Sequence, residues 1–217
     1  MINPAEQVLL GADMPEGSAK TWDELHQEGM GPTQEAFLNL VRETKETKHY
    51  CPDVIWGNLQ TPEYVRAMLT LVVDFLETPR DIEAGVRART ARAELFGKDG
   101  RTYRTLLGEQ SLRSNIGGTD VMRGQLSRIL ESFALPGVTL GIIPSRTQLH
   151  VFPGNSFGIF DGKRVEVELF GGAPTYTDDA QVQRYQKAFS LLERSAVYGE
   201  DAKAVVRAEL AALGSPG

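Results

Sequence analysis

Apolar residues recur three and four positions apart through most of the first hundred residues, then give way to alternation. Ala36, Phe37, Leu40 and Val41 predict a helix running to about Lys48. His49-Tyr50-Cys51-Pro52 should stop it, because the residue before a proline avoids helical geometry. Tyr64, Ala67, Met68 and Leu71 predict a second helix over 62–76. Thr61 is placed to cap it, with Pro62 at its first position and Glu63 in its first turn. After Thr78-Pro79 a third helix should run from Arg80 to Phe96, with Ile82, Val86, Ala93 and Phe96 facing inward. Gly97 and the turn residues Asp99-Gly100 mark its end.

The second half changes period. Tyr103 to Glu109 reads as a strand, and Gly117-Gly118 precedes a helix over 119–133 with Val121, Leu126, Ile129, Leu130 and Phe133 on its apolar face. Val138 to Ile143 is a strand with β-branched residues at alternate places. Ser156 to Phe160 and Lys163 to Leu169 read as a hairpin around Asp161-Gly162, a favoured two-residue turn. A short strand follows at Thr175 to Thr177, then helices over 179–197 and 201–213. The order is helices, a mainly antiparallel sheet of about four or five strands, and two closing helices. This is an α+β arrangement. Residues 1–32 are rich in Gly, Pro and acidic side chains and read as an extension, with Trp22 and Leu25 as docking points. That leaves 33–217 as a single α+β domain.

Composition narrows the classes of function. The net charge of -6 supplies no basic field for nucleic acid, so no direct nucleic-acid partner is expected. A single cysteine, Cys51, excludes an internal disulfide framework and fits a reducing compartment. No apolar run approaches the roughly 20 residues of a membrane span. Met1 to Leu10 lacks the basic start and apolar core of a signal peptide. A cytoplasmic protein without a membrane partner is the expectation.

Candidate chemistry concentrates at the mouth of the second helix. Trp56 can stack on a planar or cationic ligand, or anchor its loop on the core. Asn58 can hydrogen-bond a ligand or its own turn, and Gln60 can reach a ligand or bridge backbone groups. Glu109 and Glu168 sit among apolar neighbours, where a carboxyl facing a cavity would have a raised pKa and serve as acid or base. Alternation places Glu166 and Glu168 on one face, which favours solvent, and Glu109 can pair with Arg113 four residues on. Arg146 and His150 lie in a polar loop after a strand, and Tyr176 is a further candidate acid. Of His26, His49, His150 and Cys51 only the neighbouring His49 and Cys51 pair at ligand spacing, so neither a metal nor a cofactor is expected. Cys51 reads best as a buried thiol. Gly117-Gly118 and Gly171-Gly172 lack the Lys-Ser/Thr of a phosphate loop, and no nucleophile elbow is present.

Several segments carry a resemblance when taken in order. They are Tyr50-Cys51-Pro52, Leu59-Gln60-Thr61-Pro62-Glu63-Tyr64-Val65-Arg66-Ala67, Arg87-Ala88-Arg89 and Glu109-Gln110-Ser111-Leu112-Arg113. Met122-Arg123-Gly124-Gln125-Leu126, Val138 to Pro144, Val167-Glu168 and Arg184 to Phe189 follow. Across roughly residues 35–213 the chain resembles the C-terminal domain of actinobacterial antitoxin-like transcriptional regulators, the WhiJ-like, Scr-type family. The resemblance implies a regulator-type domain carried behind a helix-turn-helix and often encoded beside a small partner protein. Residues 1–32 are too short and too interrupted to form that helix-turn-helix, so DNA binding does not carry over. The family's Val-Pro-Gly-Leu-like approach to the Leu-Gln-Thr motif is here Ile55-Trp56-Gly57-Asn58, which points to a retuned pocket.

Two readings follow. In the first, a stand-alone regulator-type domain binds a small molecule or a partner protein. Trp56, Asn58, Gln60, Arg113 and Arg146 would contact the ligand, and the indole loop would lid the concave side of the sheet. In the second, the same pocket is a cofactor-free isomerase, cyclase or lyase of a biosynthetic pathway. Glu109, Glu168, His150 and Tyr176 would then be its acids and bases. A homodimer is open in either.

Overall fold

Two helical layers sandwich a six-stranded sheet whose middle strand the hydrophobic pattern concealed. The computed structural model describes residues 21–26 and 29–214. Helices α1 (Trp22–Leu25) and α2 (Met30–Glu43) lead into strand β1 (Glu46–Cys51). A 3₁₀ turn at Gly57–Leu59, α3 (Pro62–Leu76) and α4 (Ile82–Thr90) follow, and α4 continues as a 3₁₀ segment, Ala91–Leu95. Next come β2 (Thr102–Gly108), α5 (Glu109–Arg113), α6 (Thr119–Ser132) and β3 (Val138–Ile143). The chain closes with β4 (Phe157–Phe160), β5 (Arg164–Val167), β6 (Thr175–Tyr176), α7 (Asp179–Glu193) and α8 (Gly199–Ala212).

The sheet order is β3-β2-β1-β4-β5-β6. β1 lies parallel to β2 on one side and antiparallel to β4 on the other. The sheet is therefore mixed, and the α+β class holds. Alternation along the strands feeds two cores. Cys51, Tyr103, Leu107, Leu140, Ile142 and Phe160 pack with Tyr64 of α3, Leu126 of α6 and Val206 of α8. Tyr50, Leu106, Phe157, Ile159, Val165 and Val167 pack on the other side with Val182, Phe189 and Leu192 of α7. Met30, Val65, Leu69, Val73 and Val86 join α2, α3 and α4. No helix among the described residues is long and apolar enough to cross a membrane.

Local chemistry fixes the boundaries that the pattern predicts best. The Thr61 side chain accepts from the Tyr64 amide, with Pro62 in the first turn, and Glu77 adopts a left-handed conformation (φ 53°) to end α3. Asp161 and Gly162 are both left-handed (φ 48° and 65°), as a tight hairpin turn requires. Asp161 Oδ1 also accepts from the amides of Lys45 (2.9 Å) and Glu46 (2.8 Å), pinning the start of β1.

Several elements depart from expectation. Residues 46–48 form a strand and not a helix end, since β1 gains ladder bonds on both sides. α2 starts at Met30 because Asp81 accepts from the Met30 (2.6 Å) and Gly31 (2.7 Å) amides, a cap supplied from about fifty residues away. The third helix is α-helical only to Thr90. Glu109 opens a short helix and does not close the preceding strand. α7 ends at Glu193, short of 197. Most of the expected N-terminal extension lies outside the described residues. Within it, Trp22 docks as anticipated, donating from Nε1 to the Leu169 carbonyl (2.7 Å).

Candidate functional site

Polar side chains occupy the centre of one face of the sheet, where packing alone would place aliphatic residues. In the parallel register Thr47 pairs with Tyr103 and His49 with Thr105, so the four stand together on the side that meets α2, α3, α6 and α8. All four are buried. Among the described residues Thr47 Oγ1, both ring nitrogens of His49, the Tyr103 hydroxyl and Thr105 Oγ1 have no hydrogen-bond partner. A buried polar atom normally finds one, so five in one place mark an unusual surface. Burial, then the nearby Arg92 charge, drives the His49 pKa down to about 3, and the ring is neutral.

The loop before α3 forms the roof. Trp56 is 4% exposed, with its ring centroid 4.7 Å from His49 and 5.8 Å from Tyr103. The indole is thus a wall of the core, not a lid over a solvent-facing hollow. Phe160 meets His49 edge-on at 5.4 Å, and Gly158 leaves room for the imidazole, which an added Cβ would strike. Asn58 is buried with both amide atoms unpartnered among the described residues. Gln60 Nε2 donates to the Ile55 carbonyl (2.7 Å). Gln125 braces the loop from α6, donating to the Leu59 carbonyl (3.0 Å) and accepting from the Thr61 amide (2.8 Å).

Two arginines flank the cluster from the α4 side. Arg89 Nε donates to Gln34 Oε1 (2.9 Å) and its Nη1 to Gln60 Oε1 (3.2 Å). Arg92 Nη2 donates to the same Gln34 Oε1 (2.7 Å) and to the Gln34 carbonyl (3.2 Å), and its guanidinium lies 4.3 Å over the Phe37 ring. Neither arginine takes part in the ion pairs found among the described residues. Burial lowers the pKa of both. Arg89 lowers that of Arg92 further, and Glu168 opposes the shift in each. Burial first, then Glu168 and Asp53, pushes the Cys51 thiol up, which leaves it an unreactive core residue.

Of the residues expected to form a site, Trp56, Asn58 and Gln60 gather here. Glu168 is exposed beyond the end of β5, within reach of the arginine charges but making no ion pair among the described residues. Glu109 lies elsewhere: it accepts from the Ser145 amide (2.6 Å) and pairs with Arg113, which also bonds Glu209 (2.7 Å). Partial burial raises its pKa, but the Ser145 bonds, Arg113 and Arg146 outweigh that and hold it below the ordinary carboxyl value. Arg146 and His150 are exposed. Tyr176 is buried on the opposite, α7 side of the sheet, stacked on Tyr185 at 5.7 Å. The four acid–base candidates therefore do not meet. His49, Thr47, Thr105, Gln34, Arg89 and Arg92 were not anticipated. The alternating Thr47-His49-Cys51 was the available signal for a strand there.

Two open hollows of about 210 and 280 Å³, beside Tyr198 and Lys203 and beside Glu35 and Arg87, are lined by none of these residues. A separate apolar patch is exposed where Phe75 of α3 and Phe170 of the β5–β6 loop approach at 5.9 Å, with Leu71 one turn away.

Residues 34–208 match the family described as Domain of unknown function (DUF5753), a span that includes every residue of the niche. The chain belongs to the DUF5753 family. No curated protein matches it significantly. Among solved structures this DUF5753 chain is similar to NucT from Helicobacter pylori, with 11% identity and a TM-score of 0.41 over 76% of this chain and 89% of that one. It is also similar to TrmBL2, an archaeal chromatin protein, with 12% identity and a TM-score of 0.36 over 90% of this chain and 60% of that one.

Proposed function

We propose that this DUF5753 domain is a non-catalytic, regulator-type binding module that takes a small polar molecule against the His49–Thr105 face, under the Trp56 loop. The supporting observation is the cluster of buried polar atoms on β1 and β2 that lack partners among the described residues. Each such group costs about 1–3 kcal/mol when left unsatisfied. Valine or leucine at those positions would remove the penalty, so a guest that supplies the missing hydrogen bonds accounts for retaining them. The separation of Glu109, Glu168, His150 and Tyr176 disfavours acid–base catalysis, which needs its groups convergent on one reacting atom. The exposed Phe75–Phe170 patch favours a second contact, with a partner protein, through which occupancy would be relayed.

A thermal-shift screen across metabolites, followed by amide NMR mapping, tests the reading. A stabilising compound should move the amides of 47–49, 56–60 and 103–105. Thr105→Val should abolish the shift in a protein that folds as before. Compounds that perturb only the Phe75–Phe170 region, or a panel with no stabiliser, would refute it. Turnover that depends on Glu109 or Glu168 would restore the enzyme.

A further inference from the structure

We infer that the guest carries an oxyanion, a carboxylate or phosphate group, held by the guanidinium groups of Arg89 and Arg92. The inference rests on the binding role just proposed and adds the chemical class of ligand. The two side chains sit three residues apart and are drawn together by donating to one oxygen, Gln34 Oε1. Their other acceptors, Gln60 Oε1 and the Gln34 carbonyl, are also neutral. Arg92 is 4% exposed and its Nε has no partner among the described residues.

Buried cations are ordinarily matched by carboxylates, because desolvating a charge without its counter-charge is costly. Here two like charges share neutral amides. Glu168 is close enough to act on both through space, yet its own side chain is exposed and makes no ion pair among the described residues. Neutral acceptors orient a guanidinium without quenching it, which leaves its charge for a ligand. The planar fork suits the paired oxygens of a carboxylate or phosphate. Gly57 brings the loop backbone against the pair: an added Cβ would lie 3.5 Å from Arg92 Nη1 and 3.9 Å from Arg89 Cδ. Arg89 is half-buried and marks the side open to solvent. The neutral His49 beside Arg92 can then donate or accept toward the uncharged remainder of the molecule.

Melting of the full chain at constant ionic strength provides the test, with inorganic phosphate and acetate as probes and sodium chloride as the balancing salt. A probe at ten times its Kd should raise the midpoint by about 3–6 °C. Arg92→Met and Arg89→Gln should each lose that gain. The general stabilising effect of phosphate on proteins is shared by wild type and variants, and so subtracts out. Arg92→Met keeps an apolar stem over Phe37, so in chloride alone it should melt at or above wild type, since an uncompensated buried charge is gone. If it fails to fold, Arg92→Lys retains charge without the fork and should weaken binding at least about tenfold. A response to phosphate alone identifies a phosphate-bearing guest, and a response to acetate alone a carboxylic acid. Equal midpoints with and without probe, or gains identical in wild type and variants, overturn the inference. A neutral compound that stabilises through Thr105 while both anions fail would also overturn it and leave the binding role intact. No stabilising compound of any kind would remove both.

Discussion

Taking the protein from about pH 7.5 to about pH 4.5 forces a choice on His49: protonate inside the fold, or wait until the chain opens. The ring is buried between Trp56 and Phe160, near Arg92, and its pKa falls from 6.5 to about 3. The unfolded chain therefore binds the proton more readily across that interval. The neutral ring's contribution to stability is complete above pH 6.5 and is lost as pH falls toward 3. Two pH units below 6.5, at about 1.4 kcal/mol per unit, the loss is about 3 kcal/mol. That is a large fraction of the roughly 5–15 kcal/mol that holds an ordinary domain together. His26, whose pKa burial also lowers, contributes in the same direction, as do carboxylates at lower pH. The measurement is therefore a difference. Urea unfolding of wild type and His49→Gln is followed at several pH values with the m-value held as a check. The stability of wild type relative to the variant should fall by about 3 kcal/mol between neutrality and pH 4.5. Parallel curves would show that the imidazole titrates freely, and the account of a buried, desolvated His49 would be wrong.

Trp56→Ala should lower stability by about 3–5 kcal/mol, read as a reduced urea midpoint at constant m. A loss under about 1 kcal/mol would return the indole to the surface. Gly108→Ala would drive a Cβ into the Pro52 carbonyl oxygen, where backbone and not a flexible side chain must yield. It should cost about 1–3 kcal/mol in the same assay, and a neutral result would contradict the close approach of β2 to the loop after β1.

Where local chemistry set an element, the residues revealed it. Thr61-Pro62 placed α3 and Asp161-Gly162 placed the hairpin, because each depends only on near neighbours. β3 stood out because Val138 to Ile143 is apolar enough to be read without knowing its partners. β1 was hidden for the opposite reason. Its inward positions are Thr47, His49 and Cys51, and its strand character comes from ladders to residues 102–107 and 157–160. The start of α2 was equally remote, since Asp81 supplies the cap. The same blindness hid half of the candidate site. Trp56, Asn58 and Gln60 were visible as an odd loop at a helix mouth. Arg89 and Arg92 carry no local signal of burial, because Gln34 and Phe37, more than fifty positions earlier, are what enclose them. Glu109 and Glu168 were attractive as carboxylates among apolar residues, but one serves an ion-pair network and the other stands in water.

The placement of β1 has a consequence for biogenesis. Its first residue is anchored by Asp161, 115 positions later, and one of its two edges stays bare until residues 157–160 arrive. A chain emerging from the ribosome must therefore hold this polar strand with an open flank while about another hundred residues are made, a stage vulnerable to edge-to-edge association. Thr47, Lys48 and His49 make that flank a poor template for aggregation, so the residues that suit the interior niche also protect the protein during synthesis.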